Sequence, residues 1–394
     1  MATHLTSSGI AERLQHVESS PTLALAAKAK ALAKAGKPIV DLTAGEPDFP
    51  TPEPVKQAGI QAIQKNQTRY TPVAGVPELR AAIATTLTQQ LGVAYQPSQV
   101  LVSCGAKHSL YNIFQALCNP GDEVVIFAPY WVSYPPMVYL AGGTPKIIST
   151  DEANGFLPEP DALRRALTPK TKIVVLNSPS NPTGAVIDRG RLKAIAAIAL
   201  ERDLILISDE IYDRLVYPPA THVSIVTAEP RVADRTVVVN GVSKTYSMTG
   251  WRIGYAAGPQ PWIDAMSDIQ SHSTSNPTSI SQLAALAALT GGQEAVAEMR
   301  TAFVQRRDRL VAGLNRLHGL RCAVPGGAFY AWCNVSALGA SSETIAARWL
   351  DEAHLAVVPG EGFGAPGYMR FSFATSLEHI DQALRRLEKW IGQR

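Results

Sequence analysis

Lys172-Ile173-Val174-Val175-Leu176, Leu204-Ile205-Leu206-Ile207-Ser208 and Thr236-Val237-Val238-Val239 are almost unbroken runs of Val, Ile and Leu, separated by longer amphipathic segments. A strand with one wet face alternates apolar and polar residues, whereas a strand apolar at nearly every position is covered on both faces. Outward from these runs, Val100-Leu101-Val102-Ser103 and Glu123-Val124-Val125-Ile126-Phe127 repeat the pattern. The region 100–258 is therefore expected to be α/β, a mainly parallel sheet with helices on both sides. Ligands of such sheets sit beyond the carboxyl ends of the strands. Gly105, Trp131, Asn181, Asp209 and Lys244 each follow one of these runs closely, so five strand ends point into one crevice.

The segment that closes this region, Val242-Ser243-Lys244-Thr245-Tyr246-Ser247-Met248-Thr249-Gly250-Trp251-Arg252-Ile253-Gly254-Tyr255, puts a lysine among groups suited to a phosphate. As a free amine, Lys244 can form an imine with an aldehyde, while Ser243 and Arg252 can hold a phosphate through a hydroxyl and a charge-assisted fork. This is the pattern of a Schiff-base site for pyridoxal phosphate. Taken alone, Lys244 reads equally well as one of the solvated charges among the 36 Lys and Arg residues. Gly105, Ala106 and Lys107 lie where a strand turns into a helix, and backbone N–H groups there can receive a phosphate at the positive end of the helix dipole.

Four further segments carry a resemblance: Leu42-Thr43-Ala44-Gly45-Glu46-Pro47-Asp48-Phe49, Pro129-Tyr130-Trp131, Asn177-Ser178-Pro179-Ser180-Asn181-Pro182-Thr183-Gly184 and Ser208-Asp209-Glu210-Ile211-Tyr212. With Tyr70, Lys244 and Arg370 they run in the same order as in the fold-type-I pyridoxal-phosphate enzymes of the class I aminotransferase family, over most of the 394 residues. Within that family the chain most resembles bacterial aspartate aminotransferases of subgroup Ib. The resemblance implies a large cofactor-binding domain over 49–290 and a smaller discontinuous α/β domain from 1–48 and 291–394. It also implies a homodimer with shared active sites. The reaction implied is transfer of the amino group of L-aspartate to 2-oxoglutarate, giving oxaloacetate and L-glutamate.

Roles follow residue by residue. The cofactor absorbs electrons only while its ring nitrogen is protonated, and Asp209 is the carboxylate placed to enforce that. Without the resemblance, Asp209 also reads as the cap of a helix starting at Glu210. Tyr212 and Asn181 can hydrogen-bond the ring oxygen, although Asn181-Pro182-Thr183-Gly184 is equally a turn. The resemblance makes Trp131 the residue stacked on the ring and brings Tyr70 to the phosphate of the neighbouring subunit. It makes Arg370 the fork for the substrate α-carboxylate, with Gly45 beside it. Lys244 then serves again, carrying a proton between the substrate Cα and the cofactor.

Substrate choice is where the chain departs from the best-known aspartate aminotransferases. In those, an arginine matching the interval 261–290 binds the distal carboxylate, and this chain has no Lys or Arg there. Subgroup Ib uses a lysine in a Gly-x-Lys turn, which places Lys107 at the distal carboxylate with Thr22 as helper. The same pair occurs in relatives that transaminate prephenate, so a bifunctional aspartate/prephenate enzyme is the near alternative. A lyase on the same scaffold is the more distant one.

Composition excludes other classes. The 36 basic and 33 acidic residues leave a net charge of +3 with no basic block, unlike a nucleic-acid surface. With about 40 residues before the Gly45 motif and no helix-turn-helix pattern among them, no DNA-binding module is expected. The four cysteines form no CxxC pair or zinc pattern, so reduced structural thiols and no metal are expected. No run of about 18 apolar residues suits a membrane span, and Met1 to Ser20 lack a secretory core; a cytoplasmic protein is expected. The Ala/Lys-rich stretch 22–37 reads as a helix with Ser20 as N-cap, Pro21 in the first turn and Gly36 as its stop.

Overall fold

A computed structural model of the chain describes residues 9–17 and 21–393, the side chains of residues 21–24 and 26 excepted. In chain order its first strands are β1 (Val40–Asp41), β2 (Val100–Ser103), β3 (Glu123–Ala128), β4 (Thr144–Ser149), β5 (Thr171–Asn177), β6 (Ile205–Asp209), β7 (Thr236–Gly241) and β8 (Gly254–Ala257). From β2 to β8 they form one seven-stranded sheet in the order β2-β8-β7-β6-β5-β3-β4. The apolar runs of the sequence are its interior. Neighbours β7, β6, β5, β3 and β4 are parallel, and β8 alone is antiparallel to both β7 and β2.

Strand alternation sorts each run between two dry layers. In β5, Val174 and Leu176 pack with Leu79, Ile83, Leu192 and Ile195 on one face. Ile173 and Val175 pack with Leu110, Ile113, Phe114 and Met266 on the other. Each such fully buried side chain contributes roughly 1.5–3 kcal/mol of transfer free energy, so both faces resist solvation. The two strands that no apolar run announced have simple reasons. β4 is an edge strand with several half-buried or exposed residues, and β8 is a short run of Gly, Tyr and Ala.

The remaining strands are β9 (Arg321–Cys322), β10 (Tyr330–Asn334), β11 (Leu355–Ala356), β12 (Val358–Pro359) and β13 (Tyr368–Ser372). β12, β13, β10 and β9 form a second sheet, in which Trp332 lies opposite Arg370. β1 pairs in parallel with β11, which ties the N-terminal part of the chain to its C-terminal part. Two helices cover this region. Glu294–Leu314 buries Met299, Phe303, Leu310 and Leu314. Leu377–Gly392 is capped by the Ser376 side chain and buries Ile380, Ala383, Leu384, Leu387 and Trp390 along one face.

The N-terminal helix spans Pro21–Lys34, with Pro21 first and Gly36 beyond its end at φ 83°. Its expected N-cap, Ser20, lies outside the described residues. The four cysteines are free, three of them buried. Among the described residues no helix is long and apolar enough to cross a membrane.

Candidate active site

The parallel strands end together. Asn177 closes β5 and Asp209 closes β6 as register partners, and β7 leads directly into the Lys244 loop. Past these ends lies a cleft of about 480 Å³. Ser243, Lys244, Asp209, Tyr212, Asn181 and Trp131 all line it, as do Gly45, Ala106, Lys107, Arg252 and Arg370. The segments separated in sequence are brought together as expected.

Lys244 is half-buried, and its Nζ donates to the carbonyl of Gly45. Burial, with Arg370, Arg252 and Lys107 nearby, draws its amine down to about 8, while Glu46 pulls the other way. A substantial fraction of uncharged amine near neutral pH is what an attack on a carbonyl requires. The loop carrying Lys244 is held by left-handed residues, Ser247 at φ 51° and Arg252 at φ 56°. Arg252 donates to the carbonyls of Thr249 (2.9 Å) and Cys104 (3.4 Å), joining this loop to the turn after β2.

That turn is built for close approach. Gly105 has φ 86°, and a Cβ there would lie 2.5 Å from Nη2 of Arg252; a Cβ on Gly254 would lie 2.1 Å from the Ala106 nitrogen. The helix Ala106–Leu117 starts here, and Ala106 and Lys107, which line the cleft, carry its first N–H groups without intrahelical acceptors. With Ser243 and Arg252 beside them, these groups form an anion cradle. Lys107 sits 5.0 Å over the Trp131 ring, and burial together with Arg252 lowers its pKa.

Asp209 is buried, and burial raises its pKa to about 6 despite two hydrogen bonds. Its Oδ2 accepts the hydroxyl of Tyr134 at 2.6 Å, and its Oδ1 accepts the Ile211 N–H at 3.3 Å. The helix expected to begin at Glu210 is absent. Residues 211–214 form a turn, so the carboxylate caps a turn and faces the cleft at once.

Arg370 is 3% exposed on β13 and stacks 4.3 Å over the Tyr330 ring. Its Nη1 donates to Oδ1 of Asn181 (3.0 Å) and its Nη2 to the Thr43 carbonyl (2.9 Å), while its buried Nε has no partner among the described residues. Tyr212 and Tyr330 hydroxyls lie 3.0 Å apart. Two expected residues are elsewhere: Tyr70 is 92% exposed and outside the cleft, and the side chain of Thr22 is outside the described residues. Sequence reading missed Tyr134, Tyr330 and Glu46. Tyr330 lies in the apolar run 328–332, where strand alternation puts it on the same face as Trp332, opposite Arg370. Glu46 lies inside a quoted motif and accepts the Thr249 hydroxyl at 2.6 Å. Tyr134 carries no signal beyond the generic one of an aromatic after a strand.

The profile of the aminotransferase class I and II family matches residues 37–387. The chain belongs to this family. Among curated members, it is 46% identical over 390 residues to an aspartate aminotransferase of Geobacillus stearothermophilus, covering 98% of this chain and 99% of that one. It is also 46% identical over 388 residues to the aspartate/prephenate aminotransferase of Thermus thermophilus, with 98% and 99% covered. Solved members superpose closely. The Thermus thermophilus aspartate aminotransferase with maleate gives a TM-score of 0.93 at 46% identity over 97% of this chain and 99% of that one. That from Rhizobium meliloti gives 0.94 at 41% identity over 97% and 98%.

Proposed function

We propose that this aminotransferase uses pyridoxal phosphate to move the amino group of L-aspartate to 2-oxoglutarate, giving oxaloacetate and L-glutamate. The observation that carries this reading is the setting of Lys244. Its depressed amine lies in one cleft with the buried Asp209 carboxylate, the anion cradle at Ala106 and Arg252, and a buried arginine whose Nε has no partner among the described residues. The residues present fit the cofactor. The cradle suits its phosphate, Trp131 its ring face, Asp209 its ring nitrogen, and Tyr212 with Asn181 its ring oxygen.

When bound, the cofactor supplies an electron sink for the pair left at the substrate Cα. The chain's own residues do the rest. Asp209 holds the proton at the ring nitrogen. Arg370 takes the α-carboxylate through its free donors and so orients the Cα–H bond. Lys244 Nζ moves the Cα proton as base and then acid, and a pKa of about 8 suits both tasks. Lys107, with Thr22, meets the distal carboxylate. Tyr70 of the partner subunit completes the phosphate site in a homodimer, which fits its exposure here. The domain division 49–290 against 1–48 with 291–394 is supported by the pairing of β1 with β11. A cytoplasmic location is part of this reading, supported by the likeness to the bacterial aspartate aminotransferase of Geobacillus stearothermophilus.

The test is the absorption spectrum of the purified protein before and after excess L-aspartate, without an oxo acid. Conversion of the visible cofactor band with release of oxaloacetate is expected. An unchanged band would refute aspartate as substrate. A second reading, activity on prephenate as well, is favoured by the likeness to the Thermus thermophilus aspartate/prephenate enzyme. Amino transfer from aspartate or glutamate to prephenate tests it.

A further inference from the structure

The buried surroundings of Asp209 hold one group for which transamination chemistry assigns no task. Tyr134 opens the short helix Tyr134–Leu140 and is 2% exposed. Its ring packs edge-on against Trp131, centroids 5.3 Å apart. Its hydroxyl has Asp209 as partner, donating to Oδ2 at 2.6 Å. A phenol this deeply buried needs a partner, and an isolated buried carboxylate needs one more.

We propose that Tyr134 is a positioning residue that keeps Asp209 ionised and aimed into the cleft. The inference rests on the cofactor reading above and concerns how its ring nitrogen is served. Asp209 loses its solvation on folding, and burial pushes its carboxyl up to about 6. The charged and titratable groups around it divide. Glu210 raises the pKa further and Lys244 lowers it, while the Tyr212 phenol is near enough for Asp209 to raise its own pKa. The Ile211 N–H reaches Oδ1 at a long 3.3 Å, so the short Tyr134 bond is the stronger support of the anion. Together the two bonds address both oxygens and set the plane of the carboxylate. Asn177 Nδ2, donating to the Asp209 carbonyl at 3.1 Å, fixes the backbone beneath.

The sign follows from linkage. Removing a donor to the ionised form raises the Asp209 pKa above its present value in the cofactor-free protein. Binding of a cationic ring nitrogen needs the carboxylate, so affinity is lost as pH falls through that pKa, and at higher pH in the variant than in the parent. A packing role for Tyr134 would weaken binding equally at every pH.

The experiment is titration of cofactor-free parent and Tyr134→Phe with pyridoxal phosphate, followed by tryptophan emission, from about pH 8 down to about pH 5. The ratio of dissociation constants, variant over parent, is expected to be near one at the upper end and to grow about 10- to 100-fold at the lower end. Phenylalanine keeps the ring packing, so the fold is retained. A ratio independent of pH would overturn the proposal while leaving the cofactor reading intact. No binding by the parent at any pH would overturn both. As a second measurement, the carboxyl carbon of Asp209 is followed by NMR in cofactor-free protein labelled at Asp. Its midpoint is expected to rise in Tyr134→Phe and to return when 3-fluorotyrosine stands at 134; an unmoved midpoint would also overturn the proposal.

Discussion

Replacing Arg370 by Lys should cost the enzyme about 100- to 10,000-fold in kcat/KM for aspartate, and the structure supports a worked estimate. A guanidinium has five N–H donors in a planar fork, whereas an ammonium has three on one atom. Arg370 uses one donor on Asn181 and one on the Thr43 carbonyl, and its buried Nε remains free for a ligand. Lysine cannot span Asn181 and Thr43 and also grip a carboxylate on two oxygens. Loss of the two charge-assisted bonds of that fork to the substrate costs roughly 1.5–3 kcal/mol each. The total of about 3–6 kcal/mol spans the stated range, part of it appearing as lost orientation in kcat. The assay is steady-state transamination with 2-oxoglutarate as acceptor, beside half-reactions with amines that lack a carboxylate. Those amines should react with Arg370→Lys as they do with the parent. Activity on aspartate within about threefold of the parent would refute the fork, as would an equal loss on carboxylate-free amines.

Three further outcomes can be checked. Lys244→Ala should abolish the visible cofactor band and nearly all turnover. In the cofactor-free parent, acylation of this one lysine should follow a midpoint near 8, and because the pKa lies below the ordinary lysine value, stability should rise with pH between about 8 and that ordinary value, a contribution the variant lacks. Lys107→Ala should lower activity on aspartate far more than on neutral amino acids, measured as the ratio of kcat/KM values; an equal fall would put Lys107 on the phosphate. Gly105→Ala should weaken cofactor binding at least 10-fold on the order of a lost charged hydrogen bond, seen by equilibrium dialysis, because its Cβ would displace Arg252 from a position 2.5 Å away.

Much of the cleft was legible because its residues come in short local motifs. The Asn181 turn, the Asp209 strand end and the Lys244 loop each combine an apolar run with the few polar residues that follow it. The exceptions are instructive. β4 was not legible because an edge strand need not be apolar at every position, and β8 because small residues carry little periodic signal. The expected helix at Glu210 failed for another reason. Glu210 turns its carboxylate inward, where Ser208, Ser224 and His222 donate to it, so the segment satisfies its polar groups through a buried side-chain network rather than a helical ladder.

By itself the sequence determined the two-faced sheet, the order of motifs along it and the chemistry each motif could offer, since periodicity and residue type are local properties. Only the tertiary structure decided which groups meet. Tyr134 reaches Asp209 across 75 residues, Arg370 reaches Asn181 across 189, and Lys244 reaches Gly45 across 199. These contacts depend on how parallel crossovers align strand ends and on how β13 carries Arg370 over the cleft. Burial depth likewise belongs to the assembled fold, and it is burial that lifts the Asp209 carboxyl and lowers the Lys244 amine toward neutrality.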